Sequence, residues 1–202
     1  MSVYDRVHSI LSYGETLAIN FVCQGVPVNP ALFARVRGHL NNPASPSPVS
    51  VIVNSRYLSP GQITGGFIPL GTASSVAAEY DPDGNAFLLS SESLGSIFEE
   101  STVVHEAVHC GFDLDRRRNW PWFGQEANAY IAGARFALNK GVPVDIMRGW
   151  SSLHGVAAAV AAQLGRPGQE VTWEQYLPLR QAILSCPTYR GYGPSYCYNN
   201  NG

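Results

Sequence analysis

Two imidazoles four residues apart, with a carboxylate beside the first, stand at the centre of this chain as His105-Glu106-Ala107-Val108-His109. On an α-helix positions i and i+4 share a face, so both rings can reach one ion. Zinc accepts imidazole nitrogen, and a catalytic zinc takes three protein ligands and keeps one position for water. Glu106 then sits where it can take a proton from that water. The chemistry open to this set is metal-assisted hydrolysis, provided that a helix carries the motif and a third ligand arrives from elsewhere.

A third ligand is available downstream. Pro121-Trp122-Phe123-Gly124-Gln125-Glu126 opens a second helical pattern, with Ala127, Tyr130, Ile131, Ala134 and Leu138 at helical spacing and Asn139-Lys140-Gly141 at its end. Glu126 falls one residue before that apolar stripe, so its carboxylate can turn inward toward a neighbouring helix. Sixteen residues lie between His109 and Glu126, enough for a loop that returns the chain antiparallel. Asp113 and Asp115 are rival carboxylates for the same position.

In this combination the residues resemble the gluzincin branch of the zincin metallopeptidases, where a helix carrying Glu-x-x-Ala or Glu-x-x-Asp follows H-E-x-x-H and its glutamate is the third zinc ligand. Here that pattern is Glu126-x-x-Ala129. The run Glu126-Ala127-Asn128-Ala129-Tyr130 is also similar to the equivalent helix of ImmA/IrrE-type peptidases and of small metallopeptidase toxin domains. The resemblance spans about residues 49–140 and implies Zn2+ on His105, His109 and Glu126, with Glu106 as general base. It implies a protein or peptide substrate, cut internally rather than trimmed from an end. A metzincin-like set would instead use Asp115, ten residues after His105, but Phe112 stands where that family has glycine. An aspzincin-like set would use Asp113. Met147 matches a metzincin methionine turn only in being downstream, and a lone methionine reads as core.

Peptide hydrolysis on zinc also needs a donor for the developing oxyanion, usually His, Tyr or Arg. His154 is the candidate, against a plain surface role. Tyr130, one turn after Glu126, reads as packed core. Tyr189, Tyr192 and Tyr196 could reach back from the tail to cover the cleft. Arg116-Arg117-Arg118 reads as a solvated loop, or as a receptor for an acidic substrate.

The elements that must position these groups follow from the surrounding pattern. Residues 7–22 and Ala31–Leu40 have helical spacing, and Asn41–Pro48 is a proline-rich loop. Val49–Val53 and Gly66–Leu70 read as strands, and the turn Tyr80–Asn85 leads into a strand at Ala86–Ser90. In zincins the strand before the motif helix lies in a sheet whose edge pairs with extended substrate; otherwise it is a core strand. Ser96-Ile97-Phe98-Glu99 is a capping box for the motif helix, and Gly111 serves as its stop. Helices are expected near 151–164 and 173–184, the second opened by another capping box at Thr172–Gln175.

The expectation is therefore an α+β, zincin-like single domain over residues 1–202, with a small twisted sheet on the H-E-x-x-H helix, the glutamate helix beneath, and an irregular tail at 187–202. A net charge of −2 gives no basis for nucleic-acid binding. No apolar run is long enough to span a bilayer, and no cleavable signal peptide is seen, which points to the cytoplasm or to non-classical export. Cys186 and Cys197 could close a tail loop, while Cys23 and Cys110 read as buried thiols. Two other readings stay open. One is a toxin or effector with a narrow protein target. The other is a non-catalytic regulatory module whose metal is structural, with Cys110 as the hint of a fourth ligand.

Overall fold

A computed structural model describes residues 1–53, 78–90, 94–116, 120–193 and 196. The strand expected at Gly66–Leu70, most of the arginine run and Cys197 lie outside the described residues. The chain opens with α1 (Val3–Ile10), whose N-terminus carries a Ser2/Asp5 capping box, and the single turn α2 (Gly14–Leu17). It continues with β1 (Phe21–Cys23), β2 (Val26–Val28), α3 (Pro30–His39) and β3 (Ser50–Val53). After β4 (Ala78–Asp81) and β5 (Ala86–Leu89) come α4 (Ile97–Leu114) and α5 (Trp122–Asn139). The remainder is α6 (Val144–Trp150), α7 (Ser152–Ala162), β6 (Gln169–Glu170) and α8 (Trp173–Ser185).

The helical opening expected over 7–22 is broken twice. Phe21 and Val22 are strand residues of a hairpin, because Gln24 and Gly25 both take positive φ (53° and 72°) and turn the chain tightly back. β6 joins that hairpin in parallel, giving the order β2-β1-β6. The second sheet has the order β3-β5-β4, with β3 parallel and β4 antiparallel to β5. The strand at Ala86–Leu89 is therefore central and paired on both sides, so it offers no edge. Among the described residues the outer strands are β3 and β4; in β4, Ala78 and Tyr80 are buried while Glu79 and Asp81 are only partly covered.

α4 begins where expected: the Ser96 hydroxyl accepts from the Glu99 amide and the Glu99 carboxylate accepts from the Ser96 amide. Its end is not at Gly111. The helix runs three residues further to Leu114, and Gly111 faces α3, where an added Cβ would lie 2.6 Å from the Leu32 side chain. This glycine serves close packing. Turn-off comes instead at Arg116, in the left-handed region with φ 51°.

α5 lies against α4 with its small residues inward. At Gly133 an added Cβ would meet the Ser101 carbonyl oxygen at 2.9 Å and the His105 Cβ at 3.6 Å. Gly133 thus opposes Ser101 while Glu126, two turns earlier, opposes His105 and His109, so the two helices run antiparallel. Buried apolar residues from α1 through α8 form one cluster that includes Phe33, Phe87, Phe112 and Phe136. Met147 of α6, a helix not anticipated, is buried in it. Both late helices are present, and Thr172 and Gln175 make the expected capping box. None of the helices among the described residues is long and apolar enough to cross a membrane.

Candidate metal centre

α4 presents His105 and His109 one turn apart, and the facing turn of α5 presents Glu126 between them. The His105 and His109 Nε2 atoms are 3.2 Å apart. His105 Nε2 lies 3.5 Å from Glu126 Oε2, and His109 Nε2 lies 3.4 Å from Glu126 Oε1. Ligand atoms about 2.05 Å from a tetrahedral zinc stand about 3.3 Å from one another. The imidazole pair matches that figure, and each imidazole has one of the two Glu126 oxygens at a similar distance, so the donor set fits zinc in chemistry and approximate dimension. Among the described residues these are the one group of three or more His, Cys, Asp and Glu side chains whose ligand atoms converge.

The charges on the three groups interlock. Burial disfavours ionising Glu126, but the facing His109 and the hydrogen bonds from both imidazoles outweigh it and hold the carboxyl well below its usual range. Burial likewise works against charge on His109, and Glu126 beside it turns the net displacement upward. A buried carboxylate thus keeps its negative charge with two imidazole nitrogens converging on it, which is the electrostatic demand a cation meets.

Glu106 stands next to this group, its Oε1 3.8 Å from His105 Nε2. Its other oxygen accepts the Tyr80 backbone N–H of edge strand β4 at 3.0 Å. Burial, opposed by the two histidines, raises its carboxyl above the ordinary value. One residue along β4, Glu79 is pushed up to about 7 by burial, then by Glu106 and Asp81. The Tyr80 ring points the other way, into the core, and its hydroxyl donates to Asp113 Oδ2 at 2.7 Å.

Both rival ligands are therefore occupied elsewhere: Asp113 is buried against Tyr80, and Asp115 is ion-paired with Arg35. Cys110 is buried and stands outside the converging group, so it adds no fourth ligand. Tyr130, read as core, is a wall of the site: its ring meets His105 edge-on at 4.5 Å. His154 lies one layer further out. Its ring packs on Tyr130 (5.3 Å), Phe98 (5.5 Å) and Trp150 (5.8 Å), with Nδ1 2.8 Å from the Ser151 hydroxyl. Burial, with His105 nearby, lowers it to about 4, so the ring is neutral at pH 7.

The tail does return to the site. Tyr189 donates its hydroxyl to Glu126 Oε2 at 2.7 Å and lies 3.1 Å from the Tyr130 hydroxyl. Sequence reasoning missed Glu79 and the Tyr80 amide, since residues 80–85 read as a turn and the strand entering it has only a short alternation to betray it. It also missed Gly133, whose role exists only through the partner helix. In class the molecule is an α+β protein with a buried His-His-Glu group able to hold a metal ion. No protein-family model matches the chain, nor does any curated protein or solved structure.

Proposed function

We propose that this protein is a zinc-dependent peptidase with a zincin-like site, holding the metal on His105, His109 and Glu126. The observation that carries the reading is the convergence of the two imidazole Nε2 atoms, 3.2 Å apart, with the two Glu126 oxygens 3.4 and 3.5 Å from them and the Glu106 carboxylate directly beside the group. A zinc ion bound there supplies Lewis acidity toward a water molecule and a carbonyl oxygen. The three protein ligands found among the described residues would leave a position open, whereas a structural zinc is closed by four. That distinction favours catalysis over the regulatory-module alternative.

Glu106 is the general base. The Tyr80 amide fixes one of its oxygens and leaves the other facing the site, to take a proton from the attacking water and pass it to the leaving amine. Its raised pKa suits a group that must hold that proton between the two steps. In this reading the neutral His154 acts through Tyr130, by fixing the phenol against His105, rather than on the substrate. A toxin or effector acting on one protein would use the same chemistry.

The test is zinc content and hydrolysis of an unstructured protein substrate by the wild type, Glu106→Gln and Glu126→Ala. The expected result is zinc retained and turnover lost by at least 100-fold in Glu106→Gln, on the scale of general-base catalysis, with zinc lost from Glu126→Ala. Full turnover by Glu106→Gln, or unchanged zinc affinity in Glu126→Ala, would overturn the assignment.

A further inference from the structure

We infer that the C-terminal segment is a working part of the metal centre: Tyr189 is a positioning residue that fixes the Glu126 carboxylate, and metal binding and tail docking are thereby coupled. This rests on His105, His109 and Glu126 being the metal ligands.

The geometry is specific. α5 begins at Trp122, one turn before Glu126, and the tail grips both. The Trp122 indole donates to the Gly193 carbonyl at 3.0 Å, and the Trp122 amide donates to the Tyr196 carbonyl at 3.2 Å. The Trp122 ring packs on Tyr189 (5.1 Å) and Tyr192 (5.4 Å). The short 3-10 turn Pro187–Tyr189 then aims the Tyr189 phenol at Glu126 Oε2. Tyr130 ties that phenol back to the wall of the site, since its hydroxyl meets Tyr189 while its ring leans on His105.

A glutamate side chain needs such help. Its terminal torsion is broad, so an unheld carboxylate rotates freely among orientations that do and do not face the two imidazoles. With one lone pair of Oε2 engaged by Tyr189, the carboxylate plane is set so that Oε1 faces His109 and Oε2 faces His105. Hydrogen-bond partners that orient metal ligands typically govern metal affinity by 10- to 100-fold. Coupling free energies are reciprocal, so a tail that tightens metal binding is itself tightened by the metal to the same factor.

Three readouts test this on the full chain. Zinc affinity, measured by competition with a chromophoric chelator, is expected to be about 10- to 100-fold weaker in Tyr189→Phe than in the wild type. Tyr176→Phe, buried in α8 away from the ligands, controls for general loss of packing and is expected to bind zinc normally. In the cobalt-substituted protein, Tyr189→Phe is expected to shift the visible ligand-field absorption, which a merely structural role would leave alone. Amide exchange of residues 187–193 in the wild type is expected to slow on adding zinc; this arm needs no variant. The inference is overturned if Tyr189→Phe binds zinc within threefold of wild type with an unchanged cobalt spectrum, or if zinc leaves exchange in the tail unaltered. Should Glu126→Ala still lose zinc in that case, the metal site stands and only the role of Tyr189 falls; a wild type that binds no zinc removes both.

Discussion

Gly133→Ala should loosen the metal centre from two helical turns away. An added Cβ would sit 2.9 Å from the Ser101 carbonyl oxygen, where ordinary contact begins at 3.4 Å. The obstacle is backbone, so it cannot swing aside as a side chain would, and α4 and α5 must separate locally by about half an ångström. Overpacking of this kind costs about 1–3 kcal/mol. Replacing a mid-helix glycine by alanine returns about 1 kcal/mol through helix propensity. The net expectation is about 0–2 kcal/mol of destabilisation, well short of unfolding a domain with typical stability. Glu126 lies seven residues, about 10 Å, along α5 from the wedge, and metal ligands tolerate only about 0.2 Å of misplacement. Zinc affinity should therefore fall about tenfold, equivalent to about 1.4 kcal/mol. Urea unfolding in a chelator gives the first quantity, and chelator competition gives the second. A Gly133→Ala protein that is more stable than wild type and binds zinc equally well would refute the argument, showing that the helices part freely.

Two further expectations concern pH, with opposite signs. His154 has a folded pKa of about 4, below the ordinary 6.5, so between those values the unfolded chain holds a proton that the folded chain refuses. Stability from this group is present above 6.5 and is lost as pH falls toward 4; His154→Phe should flatten that window by about 2 kcal/mol in metal-free urea titrations, after allowance for partial exposure. Glu79 is the converse, with a folded pKa of about 7 against 4.5, so the folded state holds the extra proton and stability falls as pH rises from 4.5 to 7. Glu79→Gln should accordingly gain on wild type by about 2 kcal/mol more at pH 8 than at pH 5, and equal gains at both would refute a protonated buried Glu79.

The parts of the site that share one helix were legible because the geometry is local. The i, i+4 spacing of His105 and His109 and the Ser96/Glu99 cap follow from backbone periodicity alone, and α4 carries them as the pattern requires. Glu126 was legible through its place beside an apolar stripe. Gly111 was misread because a glycine near a helix end has two physical uses, and only the position of Leu32 on another helix decides between them. The same limit hid β1 and β2: three-residue strands carry too little periodicity to outweigh a helical stretch before them. It hid the Tyr80 amide as well, since backbone donors leave no trace in residue type.

Glu106 has a second consequence, for association between molecules. Among the described residues β4 is an outer strand of its sheet, and such margins invite pairing with other chains. At Tyr80 the invitation is withdrawn, since that N–H is spent on Glu106. Two residues on, Pro82 has no N–H to offer. The group assigned to move protons thus also guards the sheet margin, and the two duties separate by substitution. Glutamine keeps an acceptor for the Tyr80 amide and should stay as dispersed as wild type, whereas Glu106→Ala bares that donor and should raise the protein's tendency to self-associate.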